Sequence, residues 1–509
     1  MKHMIICLLA ALLLIGCTPQ HQPDTENTLW VITEQSTSDG MNYQAKETAE
    51  TIEAEHPNAV VRIDIIPVDE TEREIYLQQL RTQIMAGSGP DVYLLPAGKE
   101  LIMDSPESDD TISVAVEPLF HDVEQTMRLG VFADIESLYC EDIELNTTGL
   151  HQKIMDAGVV EGKRYVLPLR YTTPVLLANT SAGSVGETLP DTLTNLIEGA
   201  LDTNNEAMLA GLQMPADTSM IPALYDYDKG AICVSPEEIA QYMKLYQQWY
   251  ASAVGTQKKL IEAAEIENTE FYNAEFQGAF DNILDQLKIS ITFESFNSVE
   301  DYVLCDTNWT KSGLPYYATS ISGALEGAFL KEAMNTNTDM YPMGRMDGSI
   351  GAEITYWGAV GANTENKALA YEYLRLFLTE EYQWDAIRPK KNQSDGLIEN
   401  SWPVRAVGAT SHLYRTLEYQ LTNVSAGISC NKERLTHIRA GVSEITDEDM
   451  PILQVPIDEV RFPFYQPYEE TLEYALTLLN KENGTPTNVE IDKLAGEVYQ
   501  YLWWHLAEG

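Results

Sequence analysis

Ile84-Met85-Ala86-Gly87-Ser88-Gly89-Pro90-Asp91-Val92-Tyr93-Leu94-Leu95 holds a helix end, a turn and a strand in one short run. Upstream, Leu77, Leu80 and Ile84 recur at helical spacing, and Gly87 stands where a helix C-cap glycine belongs. Asp91 can accept hydrogen bonds from backbone N–H groups and reads as a structural cap rather than a ligand contact. Val92-Tyr93-Leu94-Leu95 is an apolar strand. Toward the N-terminus the alternation repeats. Val61, Ile63 and Ile65 alternate with Arg62 and Asp64, a period-two strand. Tyr43 to His56 has helical character and stops at Pro57, which cannot continue a helix. Leu29-Trp30-Val31-Ile32 is another short apolar strand. The order β-α-β-α-β implies a mostly parallel sheet covered by helices. Ligands of such open sheets bind at the carboxyl ends of the strands. Glu34, Gln35 and Ser36, past the first strand, and Pro96 to Lys99, past the third, are therefore expected to face a cleft.

The chain opens with Lys2 and His3, then an apolar run from Met4 through Ile15 that ends Leu14-Ile15-Gly16-Cys17. These are the marks of a secretory signal over 1–16. The run is far short of the roughly 20 residues that span a bilayer. Its ending resembles a bacterial lipobox, which implies acylation of Cys17, cleavage just before it and a mature protein held to a membrane by lipid. An ordinary secreted protein with a chance cysteine is the competing reading. Residues 17–28, polar with two prolines, read as a flexible tether.

With 509 residues the chain is too long for one core and suggests two or more lobes. Its 78 acidic and 32 basic residues give a net charge of −46, which repels phosphate backbones and excludes nucleic acid as a partner. The same charge rules out a polybasic grip on anionic lipid, leaving acyl chains as the anchor. An apolar share of 44% argues for a folded, acidic-surfaced protein rather than disorder. Of the cysteines, Cys140, Cys233, Cys305 and Cys430 are scattered, with no Cys-x-x-Cys pair to support zinc or thioredoxin-like chemistry. They are equally readable as disulfides in one of three pairings or as free thiols.

A series of motifs resembles the extracellular solute-binding lipoproteins of ABC importers, in particular the sugar-binding, maltose-binding-protein group. Glu55-His56-Pro57-Asn58 before a strand resembles the family's "EHPNVKV" segment, and Ile84 to Tyr93 resembles its "A-x-G-x-x-PDV" turn. Glu161-Gly162-Lys163-Arg164-Tyr165-Val166-Leu167-Pro168 resembles its "GKxYGLP" hairpin. Leu176-Leu177-Ala178-Asn179 is similar to "LLYN" with alanine for tyrosine, and Leu189-Pro190-Asp191-Thr192-Leu193 to "PxTWDEL" without the tryptophan. Trp357-Gly358-Ala359-Val360 and Asn366 to Leu374 resemble its "WG(I/V)…NKEAAWEFL" block. The resemblance spans roughly 29–405; the stretches 199–240 and 405–490 depart from it.

The resemblance implies an α/β clamshell of the periplasmic-binding-protein type. Two lobes, each with a mostly parallel sheet flanked by helices, are joined by crossing hinge segments. The expected division is 29–145 plus about 295–345 in one lobe and 146–294 plus about 346–509 in the other. The implied function is capture of an extracellular solute by hinge closure and delivery to an ABC permease in the membrane. The solute class it implies is a sugar or oligosaccharide, bound by a monomer that carries no cofactor or metal on the cell surface. For the site, Trp357 is the first candidate: the family has a binding aromatic in this block, and aromatic faces stack on pyranose rings. A core tryptophan is the equal alternative. Arg170 and Tyr171 follow the Leu167-Pro168 strand end, where a cleft face is expected. Glu294 and Phe296 follow the apolar Ile289 to Phe293, which resembles the family's crossover strand. Glu34 occupies a position where the family often places a polar contact. Arg345 and Asp347 read as a surface turn. The aromatic runs Phe462-Pro463-Phe464-Tyr465 and Tyr499 to Trp504 belong to the tail, where Tyr501, Leu502 and Trp504 on a helix over 489–506 are expected in a core.

No Gly-x-Ser-x-Gly, His-Glu-x-x-His or phosphate-loop motif occurs, and the histidines lack metal-ligand spacing. No catalytic residue is assigned. A glycoside hydrolase needs only two carboxylates about 5–10 Å apart, which so acidic a chain offers by chance. It stays as the lesser alternative, beside a sensory or adhesive protein of the same fold.

Overall fold

The computed structural model describes residues 28–34, 41–97, 100–104, 111–145, 147–179, 192–202, 223–248, 316–321, 338–379, 382–383, 402–405, 457–465, 472–479 and 487–508. The signal segment and Cys17 lie outside them, as do Gln35, Ser36, Glu294 and Phe296.

The N-terminal elements follow the expected order: β1 (Thr28–Glu34), α1 (Met41–Glu55), β2 (Val60–Ile66), α2 (Glu70–Met85) and β3 (Val92–Pro96). β1 lies between β2 and β3 and is parallel to both. Leu29, Val31 and Ile32 are fully buried, as a central parallel strand requires. Asp69 starts α2 by accepting from the Glu72 N–H at 3.0 Å. Gly87 ends it with φ +74°, a left-handed conformation that a Cβ disfavours. Asp91 has the structural role expected of it. It accepts from the Trp30 N–H at 2.7 Å and the Thr364 hydroxyl at 2.5 Å, tying β3 to β1.

The chain continues through β4 (Glu100–Asp104), β5 (Thr111–Ala115), α3 (Val123–Arg128), α4 (Glu136–Glu141), α5 (Gln152–Asp156), β6 (Val159–Val160) and β7 (Lys163–Arg164) to the long β8 (Val166–Asn179). Then come α6 (Leu193–Asp202), β9 (Tyr225–Asp226), β10 (Ala231–Ile232) and α7 over 236–248. Next are β11 (Tyr316–Ile321), β12 (Thr338–Pro342), β13 (Gly351–Val360), α8 (Lys367–Leu376) and β14 (Trp402–Pro403). The last elements are β15 (Glu459–Arg461), α9 (Leu472–Leu479) and α10 (Asn488–Glu508).

Sheet order is β11-β8-β13-β3-β1-β2. β13 inserts antiparallel between β3 and the first half of β8. The second half of β8 pairs antiparallel with β11 and β12. Two cores result. The first gathers β1, β3, the start of β8, β13 and α8 around Ile32, Leu94, Val166, Trp357 and Leu374. The second joins α6, α7, α9 and α10 around Leu196, Tyr242, Leu476 and Leu502. Among the described residues three segments pass between them. β8 leaves the first core after Tyr171; the chain returns from Met343, in the second core, to Ala352, in the first; and it crosses again between Phe462 and Phe464, which pack on opposite cores. This is the two-lobed clamshell with crossing segments. Of the stretch 346–509 expected in the second lobe, β13 and α8 pack in the first core, because β13 pairs with β3. α9 and α10 pack in the second.

Two expectations need correction. Asp347 does form a turn, accepting from the Ser349 N–H (3.0 Å) and hydroxyl (2.7 Å), but Arg345 is only 1% exposed and ion-pairs with Glu459. Its guanidinium fills the space a side chain on Gly351 would occupy. On α10 the buried stripe is Ile491, Ala495, Val498 and Leu502, so Trp504 falls on the other face and is 48% exposed. Leu502 is buried as expected. Cys140 and Cys233 are exposed free thiols, and Cys305 and Cys430 lie outside the described residues. Among the described residues no helix is long and apolar enough to cross a membrane.

Candidate binding recess

A recess opens at the carboxyl ends of β1 and β3, where the sheet rule places a ligand site. Glu34, the last residue of β1, and Leu95 to Ala97, the end of β3, form one side. Trp357 on β13, registered opposite Leu95, forms the floor. Phe120 and its neighbours Val116, Pro118, Leu119 and Val123 wall another side, and Pro463 and Tyr465 on the third crossing segment form the rim. The recess encloses about 420 Å³ counting the part open to solvent, but only about 20 Å³ of it admits a water-sized sphere. That is room for one water and far less than a sugar ring needs.

The aromatic floor is held from behind. Trp357 is 2% exposed and lies 5.6 Å from the Phe132 ring and 6.1 Å from Phe120. Phe120 meets Phe132 and Tyr93 edge-on at 5.3 Å each. The Trp357 indole N–H is buried without a hydrogen-bond partner among the described residues. Trp357 is a core residue, one of the two readings of the sequence, and it also lines the recess.

Glu34 is 5% exposed and grips Arg73 of α2 with both oxygens, at 2.7 and 2.8 Å. Arg73 also donates to the Glu117 and Pro67 carbonyls at 2.7 and 3.0 Å. Burial pushes the Glu34 carboxyl above its usual range, and the bonds and charge of Arg73 pull against it. At the rim the His121 ring packs at a tilt against Tyr465 with ring centroids 5.1 Å apart, and its carbonyl accepts from the Tyr465 N–H at 2.7 Å. Burial and the nearby Arg81 charge hold His121 below its usual pKa.

Of the expected site residues, Glu34 and Trp357 meet at the recess. Arg170 and Tyr171 do not line it. They sit on β8 beside β13 and β14, 2% and 9% exposed, with the Tyr171 ring 5.9 Å from His151. Burial raises the Tyr171 phenol well above its usual value. Sequence reading overlooked Phe120 and Tyr465. The Phe462-Pro463-Phe464-Tyr465 run signalled the second, but only pairing in space assigns it to the recess rather than to the tail.

No protein-family model matches this sequence, and no curated protein matches it. Solved structures do. The sugar-binding protein MalE of Xanthomonas citri superposes with a TM-score of 0.51 at 10% identity, covering 94% of this chain and 98% of its own. An extracellular solute-binding protein of family 1 from Alicyclobacillus acidocaldarius gives 0.48 at 12%, covering 94% and 100%. A de novo designed cysteine esterase gives 0.48 at 14%, covering 95% and 99%. The fold is that of the two-lobed solute-binding proteins.

Proposed function

We propose that this chain is an extracellular solute-binding lipoprotein that captures a small molecule, of the sugar or oligosaccharide class, and presents it to an ABC permease. The observation that carries the reading is the aromatic-floored recess at the carboxyl ends of β1 and β3, rimmed by a segment that crosses between the cores. A buried ring with a free N–H suits a pyranose, offering a flat apolar face and one donor for a hydroxyl. The recess is too tight for a sugar as it stands, so entry requires the lobes to part. A solute that enters between the parted lobes and touches both binds a form closed around it better than the open one, and shifts the population toward that form. Acylation of Cys17 would confine the protein to the membrane plane, raising its concentration near a permease. Glu34 is then a wall whose carboxylate shapes the field of the site.

The test is a thermal-shift screen of neutral sugars, oligosaccharides and peptides against the purified protein. A specific ligand at 100 times its Kd adds ~2.7 kcal/mol of stability. Trp357→Phe, which keeps the packing and removes the N–H, should weaken that ligand. Sugar cleavage by the protein, or a panel without a single shift, would overturn the reading.

A further inference from the structure

Beside the rim of the recess, one carboxylate of the first lobe is held by two elements of the second. Asp122 is 6% exposed and precedes α3. Its Oδ1 accepts from the Gln125 N–H at 2.9 Å, the ordinary bond of a helix N-cap. Its Oδ2 faces outward from the lobe. There it accepts from the Tyr227 hydroxyl, in the turn of the β9–β10 hairpin, and lies 2.9 Å from Nε2 of His505 on α10. The hairpin and α10 both pack with the second core. The His505 ring is enclosed by Tyr225 at 5.4 Å and Phe464 at 5.1 Å. Phe464 belongs to the crossing segment whose Pro463 and Tyr465 rim the recess. The latch, the third crossing and the recess are thus contiguous.

A second interlobe pair sits close by and serves as a comparison. Arg128 donates to Asp228 at 2.9 Å, but Asp228 is 75% exposed, and such pairs contribute little. The Asp122 side chain is 5% exposed and that of His505 21%, so their contact is shielded from water and salt. Separating the lobes here exposes a buried carboxylate and breaks two bonds at once.

We propose that Asp122, Tyr227 and His505 form an interlobe latch that sets the open–closed equilibrium of the protein independently of any solute. Its consequence for affinity rests on the solute-capture reading; the latch itself does not. Each bond is expected to favour the closed form by about fivefold. Because the latched recess has room for no more than a water, loosening the latch is expected to raise apparent solute affinity in proportion to the population it releases.

The test needs no ligand. Spin labels on the native exposed Cys140 of the first lobe and Cys233 of the second, in the full chain with Cys7, Cys17, Cys305 and Cys430 changed to Ser, report the interlobe distance. Tyr227→Phe and His505→Gln should each lengthen and broaden the Cys140–Cys233 distribution. Asp122→Asn, which keeps the cap acceptor and loses the outward one, should do so most. Arg128→Gln should leave it unchanged. A cooperative thermal melt confirms that each variant folds; if Asp122→Asn does not fold, the two second-lobe variants decide. Unchanged distances in folded Tyr227→Phe and His505→Gln would overturn the latch. A lengthened distance in a protein that binds no solute would sustain the latch and remove the solute reading.

Discussion

Glu34 reaches the recess with both oxygens already hydrogen-bonded. Its position after the first strand was legible in the sequence, but its partner was not: Arg73 lies one crossover away, and nothing in local periodicity pairs them. Removing one member of a buried pair costs about 3–5 kcal/mol, because the other charge is left without compensation. Glu34→Gln should therefore lower the urea midpoint by the equivalent of about 3 kcal/mol, and the double variant with Arg73→Met should cost less than the sum of the two single variants. Additive effects would show that the two side chains act separately. Glu124, on the face of α3 beside Asp122, gives a prediction with a pH sign. Burial first, and the Asp122 charge second, push its pKa from the ordinary 4.5 to about 7. Between those values the folded protein holds a proton that the unfolded chain has released. Stability therefore falls as pH rises from about 4.5 to 7, and the loss is complete above that range. Glu124→Gln should stabilise the protein at pH 8 by about 1–2 kcal/mol and leave it unchanged at pH 4.5, measured by urea unfolding at both values. A gain that is equal at the two pH values would assign it to packing instead.

At the scale of elements, the β-α-β-α-β start was readable because each strand and helix there carries its own signal. Alternation marks β2, the apolar run marks β3, and Gly87 marks the end of α2. β13 was not placed by that reasoning. Its Trp357-Gly358 run signals a strand, yet its position between β3 and β8 depends on contacts with segments nearly two hundred residues or more away in the chain. That long-range insertion is what carries Trp357 into the recess and moves α8 into the first core. The close approach it requires can be tested at Gly361, just past the end of β13. A Cβ there would lie 2.2 Å from the Pro90 carbonyl oxygen, a backbone atom that cannot turn aside. Gly361→Ala should cost about 2–3 kcal/mol with an unchanged urea m-value. Gly199 in α6 offers the opposite case, with open space around the added carbon. Gly199→Ala should raise stability by about 0.5–1 kcal/mol through helix propensity alone. If Gly361→Ala were neutral, β13 would not hold the position described.

Over the whole molecule, two cores joined by crossing segments share a surface with a net charge of −46. Like charges spread over both lobes oppose folding and push the lobes apart, so closure works against a repulsive field. The ties that resist it fall into two kinds. Pairs such as Arg128–Asp228 and Lys493–Glu497 are open to water and weaken in salt. Glu34–Arg73 and Asp122–His505 are shielded and do not. Acidic residues outnumber basic ones by 78 to 32, so screening relieves more repulsion than attraction. The melting temperature should therefore rise steadily as sodium chloride increases from about 10 mM to 0.5 M, over which the Debye length falls from about 30 Å to about 4 Å. Sodium chloride is the right probe because sulfate would add a separate stabilising effect through exclusion from the surface. The interlobe distance should shorten over the same range in the unliganded protein, since the two lobes repel across the cleft while the buried latch keeps its strength. A melting temperature that falls with salt would mean that exposed ion pairs outweigh the net charge. The stability of this acidic protein would then reside on its surface rather than in its two cores.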